Sequence, residues 1–152
     1  MIISKEVLNK KTIVFDMDGT IANLYGVDNW LDYLINSNTY PYEVAKPMVN
    51  MSYLARLLNR LSKKGYSINI ISWTSKNGTS EYNEKVKRAK IKWLKTHLKS
   101  VNFNNIYIVP YGTPKHEIQS GILFDDEEPN RTKWGKGAYT EKEIFEVLKA
   151  IA

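Results

Sequence analysis

Short apolar runs alternate along this chain with longer stretches in which apolar residues recur every three or four positions. The short runs are rich in β-branched residues and occupy positions 12–15, 67–71, 105–109 and 121–124. The first is too apolar to have a solvent-facing side, as is typical of parallel strands covered on both faces. The pattern therefore predicts an α/β protein with three layers, α/β/α, around a mainly parallel, Rossmann-like sheet.

The longer stretches predict three helices. The first covers about 47–63, with Pro47 in its first turn, and its apolar face consists of Met48, Met51, Leu54, Leu58 and Leu61. The second runs over about 80–99 and turns inward Val86, Ala89, Trp93, Leu94 and Leu98. The third is C-terminal and begins at a capping box formed by Thr140 and Glu143.

No internal repeat, low-complexity segment or flexible linker interrupts this alternation, so we expect one domain over 1–152. Residues 21–46 follow neither pattern, apart from a short helical stretch at 30–35. They predict a small insert within the domain.

Composition narrows the class of protein. Hydrophobic residues make up 43% of the chain and charged residues 25%, which is ordinary for a soluble globular domain. The absence of cysteine excludes disulfides, thiolate zinc sites and a cysteine nucleophile. The 22 Lys+Arg against 16 Asp+Glu give a net charge of +6, which favours anionic partners. Because we find neither a signal peptide nor an apolar run that could span a membrane, we expect a cytoplasmic protein without a membrane partner.

Candidate chemistry begins where the first run ends, in Asp16-Met17-Asp18-Gly19-Thr20. Two carboxylates two residues apart, on a chain leaving the extended state, can reach into one site, and Gly19 permits the tight turn that follows. Hard oxygen ligands without histidine or cysteine suit Mg²⁺ rather than zinc or copper. Asp-x-Asp-Gly is also a common turn sequence, so the motif does not decide the matter alone.

Polar residues follow the second and third runs as well. Ser72, Trp73 and Thr74 offer hydroxyls and backbone amides to a phosphate oxygen, and either Ser72 or Thr74 is the hydroxyl donor. Lys115 lies in a loop restrained by glycine and proline, from which its ammonium can neutralise a phosphate and restrain a carboxylate. We interpret the neighbouring His116 as a surface residue.

The fourth run ends in four consecutive acids, Asp125, Asp126, Glu127 and Glu128. Such a cluster is costly without a cation, so we expect the two aspartates to bind a metal and the two glutamates to form a solvated loop. Because the carboxyl ends of parallel strands share one edge, all four runs deliver polar groups to the same rim.

The order of these motifs resembles that of phosphohydrolases of the haloacid dehalogenase (HAD) superfamily. The resemblance covers about residues 12–130. The sequence around Ser72 and around Asp125-Asp126 is similar to that of small phosphatases and 5′-nucleotidases of this type encoded by bacteriophages. It implies a strand order near 3-2-1-4 and a minimal cap at 21–46. For a phage protein, it also implies the host cytoplasm as the compartment.

The resemblance further implies a role for each residue. Asp16 is the nucleophile that becomes an aspartyl-phosphate, and Asp18 protonates the leaving alcohol and then activates water. Thr20 positions Asp18, and Lys115 offsets charge on Asp16 and on the phosphoryl group. The implied phosphate-binding residues are Ser72, Trp73, Thr74, Lys115 and Gly19. The implied Mg²⁺ ligands are Asp16, Asp18 through its backbone carbonyl, Asp126 as the main ligand of the last motif, and Asp125 as the second choice.

Two further groups of residues bear on the substrate. The insert carries five aromatic side chains that can stack on a nucleobase: Tyr25, Trp30, Tyr33, Tyr40 and Tyr42. Of these, we expect Trp30 and Tyr33 to form the insert's own small core instead. The second helix carries seven basic residues, which we interpret as its solvated face rather than as a nucleic-acid-binding surface: Lys85, Lys87, Arg88, Lys90, Lys92, Lys95 and Lys99.

The sequence thus predicts a hydrolase, a Mg²⁺-dependent phosphomonoesterase that acts on a nucleotide such as a deoxyribonucleotide and is a monomer or weak homodimer. A polynucleotide 3′-end phosphatase, with nucleic acid as substrate, is the alternative with the same chemistry. Two alternatives of another class are a phosphoacceptor protein and a non-catalytic nucleic-acid-binding protein. The late acidic pair argues against the first, and the intact Asp16 and Asp18 argue against the second.

Overall fold

A parallel β-sheet forms the centre of the protein, whose computed structural model describes all residues 1–152. The strands in chain order are β1 (Thr12–Phe15), β2 (Ala22–Asn23), β3 (Lys46–Pro47), β4 (Ser67–Trp73), β5 (Asn105–Val109), β6 (Ile122–Phe124) and β7 (Ala138–Tyr139). Five of them form the main sheet in the order β5-β4-β1-β6-β7, and every neighbouring pair is parallel. The predicted α/β class with a mainly parallel sheet is confirmed, and β7 is an edge strand that we did not predict.

Helices flank this sheet. They are α1 (Lys5–Asn9), α2 (Trp30–Ile35), α3 (Tyr40–Val44), α4 (Met51–Lys63), α5 (Ser80–His97), α6 (Glu128–Trp134) and α7 (Ile144–Ile151), with short 3₁₀ turns at Leu24–Gly26, Lys115–Glu117 and Glu141–Glu143. The predicted capping box of Thr140 and Glu143 is present before α7. None of the helices combines the length and the apolarity that a membrane span requires.

The two faces of the sheet bury alternate residues of each strand. On one face, strand residues such as Ile13, Ile68 and Ile122 pack into a core of 24 buried side chains with α4, α5 and α7. On the other face, Val14, Ile71 and Leu123 form a smaller cluster, covered by side chains that include Trp134 of α6. Burial on both sides holds the strand ends in place and thereby supports the groups that follow them.

Two predicted boundaries are wrong. Pro47 does not begin a helix, because it lies in β3 and pairs with Ala22. Helix α4 begins instead at Met51, where the side chain of Asn50 caps it by accepting a hydrogen bond from the Tyr53 amide at 3.0 Å. Strand β4 extends two residues further than predicted, so Ser72 and Trp73 lie inside the strand rather than after it.

The insert predicted at 21–46 is closed at its base by the antiparallel pair β2–β3. The helical stretch predicted within it is confirmed as α2, whereas α3 was not predicted. Two hydrogen bonds attach the insert to α5, one from Trp93 Nε1 to the Ala45 carbonyl at 2.7 Å and one from the Tyr82 hydroxyl to the Asn38 carbonyl at 2.9 Å. The insert is therefore held against the domain by hydrogen bonds to α5.

Candidate active site

The carboxyl ends of β1 and β6 bring two buried carboxylates together around one ammonium. The Nζ of Lys115 donates to Asp16 Oδ1 at 2.9 Å and to Asp125 Oδ2 at 2.7 Å. Lys115 is only 4% exposed, and it is held by a 3₁₀ turn just before β6. Residues that lie about a hundred positions apart in the chain thus form one charged group at the rim of the sheet.

The electrostatics of Lys115 follow from its two carboxylate neighbours. Burial alone would lower the pKa of Lys115, but the adjacent Asp16 and Asp125 raise it above its ordinary value. The ammonium therefore stays charged, and with two of its three protons donated to carboxylates it retains one for a further acceptor. Its Nζ also lies 5.2 Å from the ring centre of Trp73, which packs against it.

Three carboxylates form a cluster whose composition fits a divalent cation. One oxygen each from Asp16, Asp125 and Asp126 lies within 4.8 Å of the others. Burial, followed by the charge of Asp16, raises the pKa of Asp125 to about 6 and that of Asp126 to about 8. Crowded carboxylates with such raised pKa values favour a bound proton or cation, and an all-oxygen donor set suits Mg²⁺.

Asp125 and Asp126 differ in how many hydrogen bonds their carboxylates already accept from the protein. Asp125 is fully buried, and its carboxylate accepts hydrogen bonds from Lys115, from the Glu127 amide and from Asn130. The half-buried Asp126 carboxylate has one donor within reach, the Thr20 hydroxyl at 3.2 Å, whose single proton is shared with Asp16 Oδ2 at 3.0 Å. Asp126 has the larger number of free lone pairs and is the better candidate for direct contact with a cation.

Thr20 does not hold Asp18, and this expectation is wrong. Its buried hydroxyl lies 3.0 Å from Asp16 Oδ2 and 3.2 Å from Asp126 Oδ1, and it accepts a hydrogen bond from the Asp126 amide at 3.1 Å. The reason is the turn after β1, which directs Thr20 towards the end of β6. Thr20 therefore links the first and last acidic motifs.

Gly19 makes this close approach between the two motifs possible. Its φ of +79° lies in the left-handed region, and a Cβ at this position would overlap the Asp126 carboxylate. Only glycine meets both requirements without strain.

Asp18 is held by Lys90, which we predicted to lie on the solvated face of α5. Lys90 is only 1% exposed and donates to Asp18 Oδ2 at 2.7 Å, to Ser72 Oγ at 2.8 Å and to the Trp73 carbonyl at 2.6 Å. Its predicted place on the solvated face of α5 is therefore wrong, whereas the other six basic residues of that segment are exposed: Lys85, Lys87, Arg88, Lys92, Lys95 and Lys99. The spacing to Val86, Trp93 and Leu94 places Lys90 on the apolar face of α5, and that register is the signal that could have identified it.

The predicted phosphate-binding residues around the end of β4 occupy different positions. Ser72 is buried and accepts from Lys90, and the Trp73 indole donates to the Thr113 carbonyl at 2.9 Å. The Thr74 amide is used in a hydrogen bond to the Val109 carbonyl, while its side chain lines the adjacent cavity. Ser72 thus lies beneath the rim and Thr74 at its surface.

A cavity of about 560 Å³ opens next to Asp16, Asp18 and Lys115. Its walls include aliphatic and polar residues and five aromatic side chains from the insert and from the ends of β4 and β5, namely Tyr25, Trp30, Tyr42, Trp73 and Tyr111. Of the five aromatic candidates, Tyr33 and Tyr40 are absent from this lining and pack against each other at 5.1 Å. Trp30 both lines the cavity and packs on a cluster that Leu24 and Tyr42 of the insert form with Tyr82 and Val86 of α5, so this core is shared with α5 and is not the insert's own.

A loop after β4 completes one side of the cavity. Asn83 of α5 fixes its shape, because its Oδ1 accepts from the Ser75 amide at 3.1 Å and its Nδ2 donates to the Gly78 carbonyl at 3.3 Å. Glu127 lines the cavity from the loop after β6 and is half-buried, whereas Glu128, which we predicted in the same loop, is exposed but begins α6. His116 is exposed and lies outside this lining.

Comparisons of this chain with protein-family models, with curated proteins and with solved structures found no match. The interpretation of the site therefore rests on its own residues and their geometry.

Proposed function

We propose that this protein is a Mg²⁺-dependent phosphomonoesterase of the HAD type, with a three-layer core of strand order near 3-2-1-4 and the insert at 21–46 as a minimal cap. The observation that carries the proposal is the position of Asp16. It is a buried carboxylate between the Lys115 ammonium and the Thr20 hydroxyl, at the edge of a cavity that also exposes Asp18.

In the proposed reaction, an oxygen of Asp16 attacks the phosphorus, and the bond between phosphorus and the leaving oxygen breaks. Asp18 gives its proton to that oxygen, then takes a proton from the water that hydrolyses the aspartyl-phosphate, so the products are an alcohol and inorganic phosphate. Burial is the largest influence on Asp18 and raises its pKa above the ordinary value, although Lys90 opposes this, and a raised pKa suits a group that must carry a proton. The remaining proton of Lys115 is available to a phosphoryl oxygen.

The acidic cluster is the proposed Mg²⁺ site. Asp16 and Asp126 would hold the ion, with Asp125 behind them. The bound ion would neutralise charge on the phosphoryl group. Donor type supports this assignment, because all three side chains offer only carboxylate oxygens.

The cavity favours a mononucleotide as the substrate. Its volume of about 560 Å³ is within the range of small-molecule sites, and its aromatic walls suit a planar base. Stacking on aromatic side chains contributes about 1–3 kcal/mol per base. We therefore expect a nucleoside 5′-monophosphate to have a KM about 5- to 150-fold below that of ribose 5-phosphate, which lacks only the base.

A polynucleotide 3′-end phosphatase is the second candidate. Six exposed basic residues of the segment 85–99 and the net charge of +6 favour it, because counterion release strengthens binding to nucleic acid. In that case, activity on phosphorylated oligonucleotides should exceed activity on mononucleotides and fall steeply with salt.

The test is phosphate release, with and without Mg²⁺, from 5′- and 3′-mononucleotides, ribose 5-phosphate and phosphorylated oligonucleotides. The Asp16→Asn protein, which removes the nucleophile at almost constant shape, is the control and should be folded and inactive. Release by the wild type that needs Mg²⁺ and Asp16 supports the proposal. A folded wild type that releases phosphate from none of these esters, or an Asp16→Asn protein that retains activity, contradicts it.

A further inference from the structure

Lys90 is a buried cation without a part in the reaction proposed above. It projects from the middle of α5 to the floor of the site, where all three of its hydrogen bonds end on groups of the catalytic rim. Tyr42 of the insert covers it, with the ring centre 5.1 Å from Nζ. Four separate parts of the chain, namely α5, β4, the turn after β1 and the insert, thus meet at one ammonium.

The donor count separates Lys90 from Lys115. A lysine ammonium has three protons, and Lys90 uses all three on Asp18, Ser72 and the Trp73 carbonyl. Lys115 uses two. In addition, Lys115 lines the cavity whereas Lys90 does not. A saturated ammonium behind the cavity is suited to orienting its neighbours and not to binding substrate.

The bonds of Lys90 determine what its two side-chain partners can do. At Asp18, Lys90 occupies Oδ2, and Oδ1 accepts no hydrogen bond from the protein. At Ser72, the hydroxyl oxygen accepts from Lys90, and its own proton has no acceptor within the protein. Because Asp18 lines the cavity and the buried Ser72 does not, Lys90 leaves one carboxyl oxygen of Asp18 for groups in the site.

Packing alone does not account for a lysine at this position. The burial of an ammonium costs several kcal/mol before its partners compensate, and apolar residues often replace buried ion pairs without loss of stability. The neighbouring inward positions of α5 are occupied by Val86, Trp93 and Leu94, so an apolar side chain would fit the pattern. If an apolar residue replaced Lys90, water could still reach Asp18, because 18% of the Asp18 side chain is exposed.

We propose that Lys90 is a positioning residue, which holds the Asp18 carboxyl so that its free oxygen exchanges a proton with the leaving group. This inference rests on the proposed phosphatase function. It gives Lys90, in the middle of α5, a role in the reaction, whereas the basic residues around it indicated only a solvated helix face.

The test compares Lys90→Met and Lys90→Gln with Lys87→Met, a matched change at an exposed position one turn away on α5. The substrates are phenyl phosphate and p-nitrophenyl phosphate, which are similar in size. Phenolate is a poor leaving group that needs a proton from Asp18, whereas p-nitrophenolate is a good leaving group that needs little assistance. We compare kcat/KM, which reports the steps up to the first irreversible one, here phosphoryl transfer to Asp16. General acid catalysis contributes a factor of about 10² to 10⁴, so kcat/KM of both Lys90 variants should fall about 100-fold for phenyl phosphate and less than about 10-fold for p-nitrophenyl phosphate.

A second measurement is independent of turnover. Calorimetric titration with inorganic phosphate in the presence of Mg²⁺ should show the same affinity in the Lys90 variants as in the wild type, because neither Lys90 nor Ser72 lines the cavity. Lys87→Met should match the wild type in both measurements. Thermal unfolding shows that each protein is folded, and we expect the Lys90→Met protein to be less stable than the wild type, because it leaves Asp18 and the Trp73 carbonyl without their donor.

The outcomes distinguish the two proposals. Equal losses on both esters, or a loss of phosphate affinity as large as the loss of kcat/KM for phenyl phosphate, overturn the role of Lys90 even if the wild type is an active phosphatase. A wild type that binds phosphate but hydrolyses neither ester overturns the phosphatase and, with it, the role of Lys90. A wild type that does neither overturns both.

Discussion

The Asp126→Asn variant separates the charge of the acidic cluster from its shape, because the amide is nearly isosteric with the carboxylate. Burial and the neighbouring Asp16 raise the pKa of Asp126 to about 8, from an ordinary value of 3.8. Between these pH values the folded protein holds a proton that the unfolded chain has released, so the free energy of unfolding falls as the pH rises. The metal-free wild type should lose stability from about pH 4 to pH 8 for this reason, and Asp126→Asn should lack most of that loss.

The size of the effect follows from the shift and its surroundings. One unit of pKa corresponds to about 1.4 kcal/mol. Asp126 is half-buried and titrates together with Asp125, so solvent screens part of the shift and the pair shares the rest. We expect a loss of about 2–3 kcal/mol between pH 5 and pH 8, which for a domain of this size corresponds to a decrease of about 4–12 °C in Tm.

Magnesium should reverse this loss. A ligand present at 100 times its Kd adds about 2.7 kcal/mol, and Mg²⁺ occupies the same oxygens as the proton it replaces. The gain in Tm should therefore be larger at pH 8 than at pH 5, where protons compete with the ion, and it should nearly disappear in Asp126→Asn.

Thermal unfolding followed by circular dichroism measures all of these quantities without assuming any activity. The wild type, Asp126→Asn and Asp32→Asn, an exposed change on α2 that serves as control, are each unfolded at pH 5 and pH 8, in EDTA and in MgCl₂. Two results would refute the reasoning. One is a wild type that gains no more from Mg²⁺ at pH 8 than at pH 5, and the other is an Asp126→Asn protein with the same dependence on pH as the wild type.

Three further substitutions test other parts of the site. Gly19→Ala forces a side chain into the left-handed region and against Asp126, so we expect a loss of about 1–3 kcal/mol in chemical denaturation and a matching loss of the Mg²⁺ response. Thr20→Val removes the hydroxyl that lies between Asp16 and Asp126 and accepts from the Asp126 amide, so it should weaken Mg²⁺ binding about 10-fold in titrations, whereas Thr20→Ser should retain it. Asn83→Ala frees the loop after β4 and should raise the KM for mononucleotides about 3- to 10-fold with kcat for p-nitrophenyl phosphate nearly unchanged, and an equal loss in both would contradict its assignment to substrate binding.

The extent to which the sequence predicts the fold depends on burial. The run at 12–15 coincides with β1, because a strand that has neighbours on both sides requires apolar, β-branched side chains on its two buried faces. By contrast, β7 has only two residues, both half-buried, and depends on its pairing with β6. No local pattern distinguishes such a strand from a loop.

The candidate site shows the same division between what topology determines and what the local backbone determines. The rule that parallel strands end at one edge brings Asp16, Lys115 and Asp125 together, as their sequence positions predict. It does not determine which oxygen a hydroxyl will meet. Thr20 reaches Asp126 because Gly19 turns the chain with a positive φ, and that dihedral angle is not visible in the spacing of the residues.

Lys90 illustrates how charge and register can point in opposite directions. Lys90 is one of seven basic residues in the segment 85–99, and such a run indicates a solvated helix face. The other six residues are indeed exposed. Placed on the helix, Lys90 occupies the same face as Val86 and Leu94, where a lysine must find partners that justify its desolvation. The partners it finds, Asp18 and Ser72, are two of the predicted site residues. A lone cation on the apolar face of a helix that packs against a site is therefore more informative than the whole basic segment around it.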